Sequence, residues 1–302
     1  MLAFFSEAMS SAHEHDAAPP PSSEDSDKKQ KKEHAHTHGH GHEHSHESSA
    51  KIVALGTVSL GGATFMIDRD GQVESGKKTE FGVEHVSGAA AVPSAAWLAN
   101  PDGAKLCDPA AGDGHDSHWH FDVLSLEPVK KSHFVLRVGE EEAAVDYARG
   151  AQPCNEGILA VFKAAHAPEW RGFLELKLHG DAGDLELWLY DGFRVTNWSA
   201  ASKAKPDPFD VPKDTVVHLT FPRHEGKALE MRVRNGDQNE DEAGTPTMRD
   251  GRTNYFIFPG ESGADAKWLV GEKWRGVATV AFEADGKKYA AEPFILVPHE
   301  AL

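Results

Sequence analysis

The sequence predicts an all-β protein: an antiparallel β-sandwich or barrel-like body, in two domains, behind a disordered histidine-rich N-terminal leader. Three observations carry that reading. Apolar residues in the body alternate with polar ones at a period of two rather than 3.6. The alternating runs are short and separated by Gly, Pro and Asp turns, with no long amphipathic helix among them. The 302-residue chain is also asymmetric. Residues 1–50 hold nine of its 19 histidines and hardly any large apolar residue after Phe5, while all seven tryptophans lie in residues 51–302.

Residues 17–33, AAPPPSSEDSDKKQKKE, cannot bury enough apolar surface to offset the entropy of ordering, so they read as a flexible spacer. HAHTHGHGHEHSH (34–46) follows, and the first apolar strand begins at Lys51-Ile52-Val53. FLELKLH (173–179) places Leu174, Leu176 and Leu178 on one face, with Glu175, Lys177 and His179 on the other. After the turn GDAG, DLELWLY (184–190) repeats the pattern through Leu185, Leu187 and Leu189, so the two runs predict a hairpin. Trp188 and Tyr190, with Glu186, fall on the face away from the leucines. There, either a second sheet covers them or they form an exposed aromatic patch suited to binding.

ALEMRVR (228–234) alternates through Leu229, Met231 and Val233. GVATVAFEADGKKYAAEPFILV (276–297) predicts a second hairpin turning at Asp285-Gly286, and its Pro293, unable to donate to a ladder, predicts a sheet edge. ADAKWLVGE (264–272) supplies a short helical turn, and the proline-rich AKPDPFDVPKD (204–214) reads as a rigid connector. The segment ARGAQPCNEG (148–157) is the expected joint, dividing the body into a β domain over 51–150 and a β-sandwich domain over 151–302.

The formal net charge of −17 divides between a leader with four lysines against nine Asp and Glu, or −5, and a body carrying the remaining −12. Such a surface repels nucleic-acid phosphate and anionic lipid, so neither is an expected partner. No stretch approaches the roughly 18 apolar residues that span a bilayer, and MLAFFSEAMSSA lacks the basic start and apolar run of a secretory signal. The chain is therefore expected in the cytoplasm. Its two cysteines, Cys107 and Cys154, have no CxxC spacing and read as two inert thiols.

Chemistry concentrates in the histidines. A neutral imidazole offers a nitrogen lone pair of borderline softness, suited to zinc, nickel, copper and cobalt. In an extended chain His34, His36, His38, His40, His42, His44 and His46 form a comb of ligands on one side. A flexible chain can wrap three or four of them into the tetrahedron that zinc takes, at roughly 2.0–2.1 Å from nitrogen. His13 and His15 in AHEHD could add to the set. Ordering so loose a segment costs about 1–2 kcal/mol per residue, so capture or buffering is expected rather than a rigid centre. Affinity should collapse below the ordinary imidazole pKa of about 6.5. The run resembles the histidine-rich loops and tails of zinc transporters, nickel chaperones and metal-efflux adaptors, a likeness of composition over 13 residues that brings no fold with it.

A second cluster lies in the body. DGHDSHWHFD (113–122) contains His115, His118 and His120, with Asp113, Asp116 and Asp122. If SHWHFDV is a strand, His118, His120 and Asp122 share one face, and Trp119, Phe121 and Val123 the core-facing other. Two histidines at i and i+2, with a third in the preceding turn, make a three-nitrogen set for a transition ion. A carboxylate such as Asp113 or Asp116 is expected to orient each ring. Asp237, Asn239 and Asp241 have calcium-like spacing, but the surrounding loop departs from an EF-hand, and a solvated acidic loop is the better reading. No GxSxG, Walker loop or GxGxxG is present, so nothing points to nucleophilic catalysis, and a metalloenzyme at the 115–120 cluster is the weakest of the alternatives. The expected function is binding or handling of transition metal through the leader, with a structured site at His115, His118 and His120. The alternative is a β-sandwich interaction or carbohydrate-binding module whose leader is a solvated linker.

Overall fold

The computed structural model describes residues 51–126, 132–147, 150–191 and 206–302. These form an almost entirely β structure of mainly antiparallel sheets, as the alternation predicts. The leader, and with it His34 to His46, lies outside the described residues.

Strands β1 (Ile52–Leu60), β2 (Ala63–Asp70) and β3 (Lys78–Gly88) form a meander. A small sheet is made of β4 (Ala95–Ala99), β7 (His133–Val138) and β8 (Glu141–Asp146). Between these in the chain, β5 (Asp113–His115) and β6 (His118–Leu124) extend the main sheet beyond β3. Then β9 (Ile158–Ala164) pairs in parallel with β1, so strands on both sides of residues 148–157 share one sheet. The long β10 (Ala167–Leu178) and β11 (Leu185–Tyr190) form the hairpin expected from the leucine pattern, in the register Phe173 opposite Tyr190 to Leu178 opposite Leu185.

The remaining strands close the body. Val211–Pro212 (β12) pairs with Arg252–Thr253 (β15), which draws part of the expected connector into a ladder. Val217–Phe221 (β13) and Lys227–Met231 (β14) form another hairpin, and Tyr255–Phe258 (β16) runs beside β11. Strands β17 (Gly276–Ala284), β18 (Lys287–Ala291) and β19 (Phe294–Leu296) complete the sheet. The turn at Asp285-Gly286 has positive φ at both residues (51° and 69°), as a two-residue hairpin turn of this twist requires. Pro293 directly precedes β19, which pairs with β17 alone among the described residues, so it borders an edge strand as the sequence predicts. It sits in the break between β18 and β19, both of which pair with β17, so the ladder is interrupted where the proline would have had to donate. Lys267–Leu269 is a single 3₁₀ turn, as the sequence suggested.

Two cores result. One packs Leu174, Leu176, Leu178, Leu185, Leu187 and Leu189 against Val217, Leu219, Phe221, Val280 and Phe282. The other packs β1, β2, β3 and β6 against the β4–β7–β8 sheet, with Phe81 stacked on Phe134 at 4.4 Å. The second core also runs beneath the opposite face of the β10–β11 hairpin, through Phe173, Trp188, Tyr190 and Tyr255. Trp188 and Tyr190 are 7% and 4% exposed, so of the two arrangements the sequence allowed, the covered one is realised and no aromatic platform exists there.

Because the hairpin is buried on both faces, its polar residues must find partners inside the protein. Glu175 is fully buried; its carboxylate accepts the backbone N–H groups of Cys154, Asn155 and Gly157, the Asn155 amide and the Tyr190 hydroxyl. Burial pushes this carboxyl up despite those donors. Cys154, at the mouth of this nest, and Cys107 do not form a disulfide. Glu175→Ala strands several buried donors at once and should cost about 3 kcal/mol or more. A fall of that size in the free energy of urea unfolding checks it; a loss below about 1 kcal/mol would refute the role given to Glu175.

Candidate metal centres

The predicted strand SHWHFDV is β6, with Trp119, Phe121 and Val123 buried and His118, His120 and Asp122 on the outer face. His118 and His120 lie edge to face, ring centroids 4.4 Å apart. Each Nδ1 meets a carboxylate: His118 with Glu84 Oε2 at 3.2 Å and His120 with Glu80 Oε1 at 2.8 Å. The expected orienting groups were Asp113 and Asp116; the strand register supplies Glu84, directly opposite His118, and Glu80, diagonal to His120. His115 stands on β5 in register with His118 and is exposed. The ligand atoms of His115, His118 and His120 do not gather within 4.8 Å of one another, whereas two other sets among the described residues do.

Glu84 is a hub. Besides His118 it accepts Arg223 Nη1 at 3.0 Å and Arg275 Nη2 at 2.8 Å, tying β3 to the turn after β13 and to the start of β17. Burial alone would raise this carboxyl, but the bonds from His118, Arg275 and Arg223 bring it down to about 2. Beside it, Asp68 on β2 lies in line with Gly82 and His120 across three strands. Burial pushes the Asp68 carboxyl up, and its nearest charged neighbours are His118, Arg275, His120 and Glu80.

The second centre was not singled out in the sequence. His179 follows β10, and its Nε2 meets Glu186 Oε2 at 3.1 Å. Glu186, 4% exposed on β11, also accepts the Tyr255 hydroxyl, which in turn accepts Arg234 Nη2 at 3.1 Å. Across from His179, the 3₁₀ turn His299–Ala301 brings in two more ligands: the His179 and His299 rings are 4.9 Å apart, and His299 Nε2 is 3.1 Å from Glu300 Oε1. Gly180 N–H anchors both Glu300 oxygens. Lys177 Nζ completes the group, 2.9 Å from Glu242 Oε2 and 3.8 Å from Glu156 Oε2.

His179, His299 and Glu300 each place a ligand atom within 4.8 Å of the other two, as do His179, Glu186 and Glu242. The donor chemistry fits a borderline divalent ion: two imidazoles with a carboxylate in the first set. The second set shares Glu242 with the Lys177 ammonium, so a cation there meets a like charge; the first set shares no group with it. The bond to Glu186 raises the His179 pKa, against burial, while burial and then the Lys177 charge lower that of His299. Lys177 likewise holds the Glu242 carboxyl below its ordinary range.

The alternation in FLELKLH and DLELWLY did place His179 and Glu186 on one face; what it lacked was any sign that the C-terminal HEA turn and the loop carrying Glu242 fold over that face. That loop is itself tightly built. Asn239 is fully buried, its amide accepting Arg234 N–H at 2.7 Å and donating to Thr253 and Tyr255, while Asp241 Oδ1 accepts Thr245 N–H. No protein-family model matches this chain, and no curated protein matches it significantly.

The lowered Glu84 carboxyl sets an acid limit. Its stabilising charge is fully present above the unfolded value of 4.5 and is lost as pH falls through about 2. Between pH 5 and pH 3 the wild-type protein should therefore lose about 2 kcal/mol more stability than Glu84→Gln, the difference reaching about 3 kcal/mol only as pH falls to about 2. Parallel urea titrations of the two proteins measure this, and equal slopes would rule it out.

Proposed function

We propose that this protein binds and handles a divalent transition metal, capturing ions with the imidazoles of residues 34–46 and holding one at His179, His299 and Glu300. The observation that supports the reading most directly is the convergence of those three ligand atoms within 4.8 Å of one another. Two imidazoles and a carboxylate, with water in the remaining position, suit zinc, cobalt, nickel or copper. Glu186 is the orienting carboxylate on His179, the kind of outer partner that fixes a ligand ring. The leader supports the same reading from composition alone, through seven imidazoles on alternate residues. No membrane-crossing helix is found among the described residues.

Calorimetric titration of dialysed full-length protein with zinc at pH 7.5 tests it. The wild type should bind several ions. Replacing the seven histidines of 34–46 by Ser should remove the weak, multiple binding and leave a tighter component. His179→Ala with His299→Ala should remove that component. Wild-type protein that leaves a desalting column free of zinc after loading would end the proposal.

A further inference from the structure

The geometry points to a second cation site, which we propose is formed by Nε2 of His118, Nε2 of His120 and the carboxylate of Asp68, and takes the same class of borderline divalent ion. It shares no residue with the His179 centre. It rests on the metal-handling reading only in the choice of ion.

Several independent features converge here. Both imidazoles are oriented by a carboxylate at Nδ1, Glu84 and Glu80 respectively, which leaves Nε2 at the far edge of each ring as the donor atom. Neither Nε2 makes a hydrogen bond with a described residue, and the half-buried Asp68 carboxylate accepts none from the described residues either. Asp68 is part-buried on β2, and its carboxylate adds an oxygen ligand to the two imidazole nitrogens.

The backbone makes room for this arrangement. Gly82 stands between Asp68 and His120 in register, and a Cβ there would lie 2.4 Å from Asp68 Oδ1. Glycine at this point lets the aspartate lie across β3 towards the histidines. The charged groups that act on Asp68 and His120, apart from the ligands themselves, are Glu80, Asp113 and Arg275. Arg275 is itself held by Glu84 at 2.8 Å, together with Arg223. The acidic groups therefore outnumber the cations available to repel an ion. The three ligand atoms are further apart than in the His179 set, so loading must draw the Asp68 carboxylate in by side-chain rotation, on a backbone that the strands keep fixed. Weaker binding than at His179 follows.

The test uses the full-length chain with the histidines of 34–46 replaced by Ser, titrated with zinc at pH 7.5. Two ions per chain are expected. His118→Ala with His120→Ala should remove the weaker ion alone, and His179→Ala with His299→Ala the tighter one alone. Asp68→Asn and Gly82→Ala should each weaken the second ion by about tenfold, as should Glu80→Gln, which touches only the exposed outer partner of His120. Circular dichroism of each variant verifies the fold. One ion per chain, lost only with His179 and His299, overturns this site and leaves the proposed function standing; no ion at all overturns both. Two ions that persist in the Asp68 and the His118/His120 variants also overturn it.

Discussion

The burial of the β10–β11 hairpin on both faces is the constraint from which the rest of the structure follows. Its leucine face packs into one core, and its other face lies over the second core with Phe173, Trp188 and Tyr190. Charged side chains on that second face have no water to turn to, so each must be neutralised by protein groups. The stripe Glu175, Lys177, His179 shows the consequence along one strand. Glu175 is sealed inside a nest of donors and is structural. Lys177 is nearly buried, but its ammonium reaches exposed glutamates. His179, where the strand ends, is only half-buried, and its partners are histidine and carboxylate groups from elsewhere in the chain. Closure thus loosens toward the end of the strand, and the cluster of imidazoles and carboxylates around His179 lies where it is incomplete.

Much of the scaffold was legible because alternation is a local property. The faces of β6 and the β10–β11 hairpin, with its register, could be read from residues adjacent in sequence. What could not be read was which elements cover a given face. Glu175, Lys177 and Glu186 look like a solvated polar face until a second core is laid over them. The sites follow the same rule. His118 and His120 were visible as a pair. Their partners Glu80, Glu84 and Asp68 lie some 34 to 52 residues upstream and arrive only through the register of β2, β3 and β6. His299 and Glu300 have no local pattern at all, and meet His179 only because the last 3₁₀ turn docks beside the hairpin.

A ligand that must be ordered on binding costs about 1–2 kcal/mol per residue fixed. In the folded body the strands have already met that cost, and orienting carboxylates fix the rings before an ion arrives.

Lys177 decides how firmly such an ion would be held. Its ammonium is among the groups that disfavour protonation of both His179 and His299, which keeps their lone pairs available to a metal. The same charge repels a dication placed beside them. Above the ordinary imidazole pKa of about 6.5 the lowered His299 ring is largely neutral in any case, whereas the bond to Glu186 carries the His179 imidazolium to higher pH. Below that pH protons compete for the rings, most strongly at His179, whose bond to Glu186 favours the imidazolium. Were an ion held there, as proposed, these neighbours would favour its exchange over a locked structural role, because the Lys177 charge and protons both oppose it.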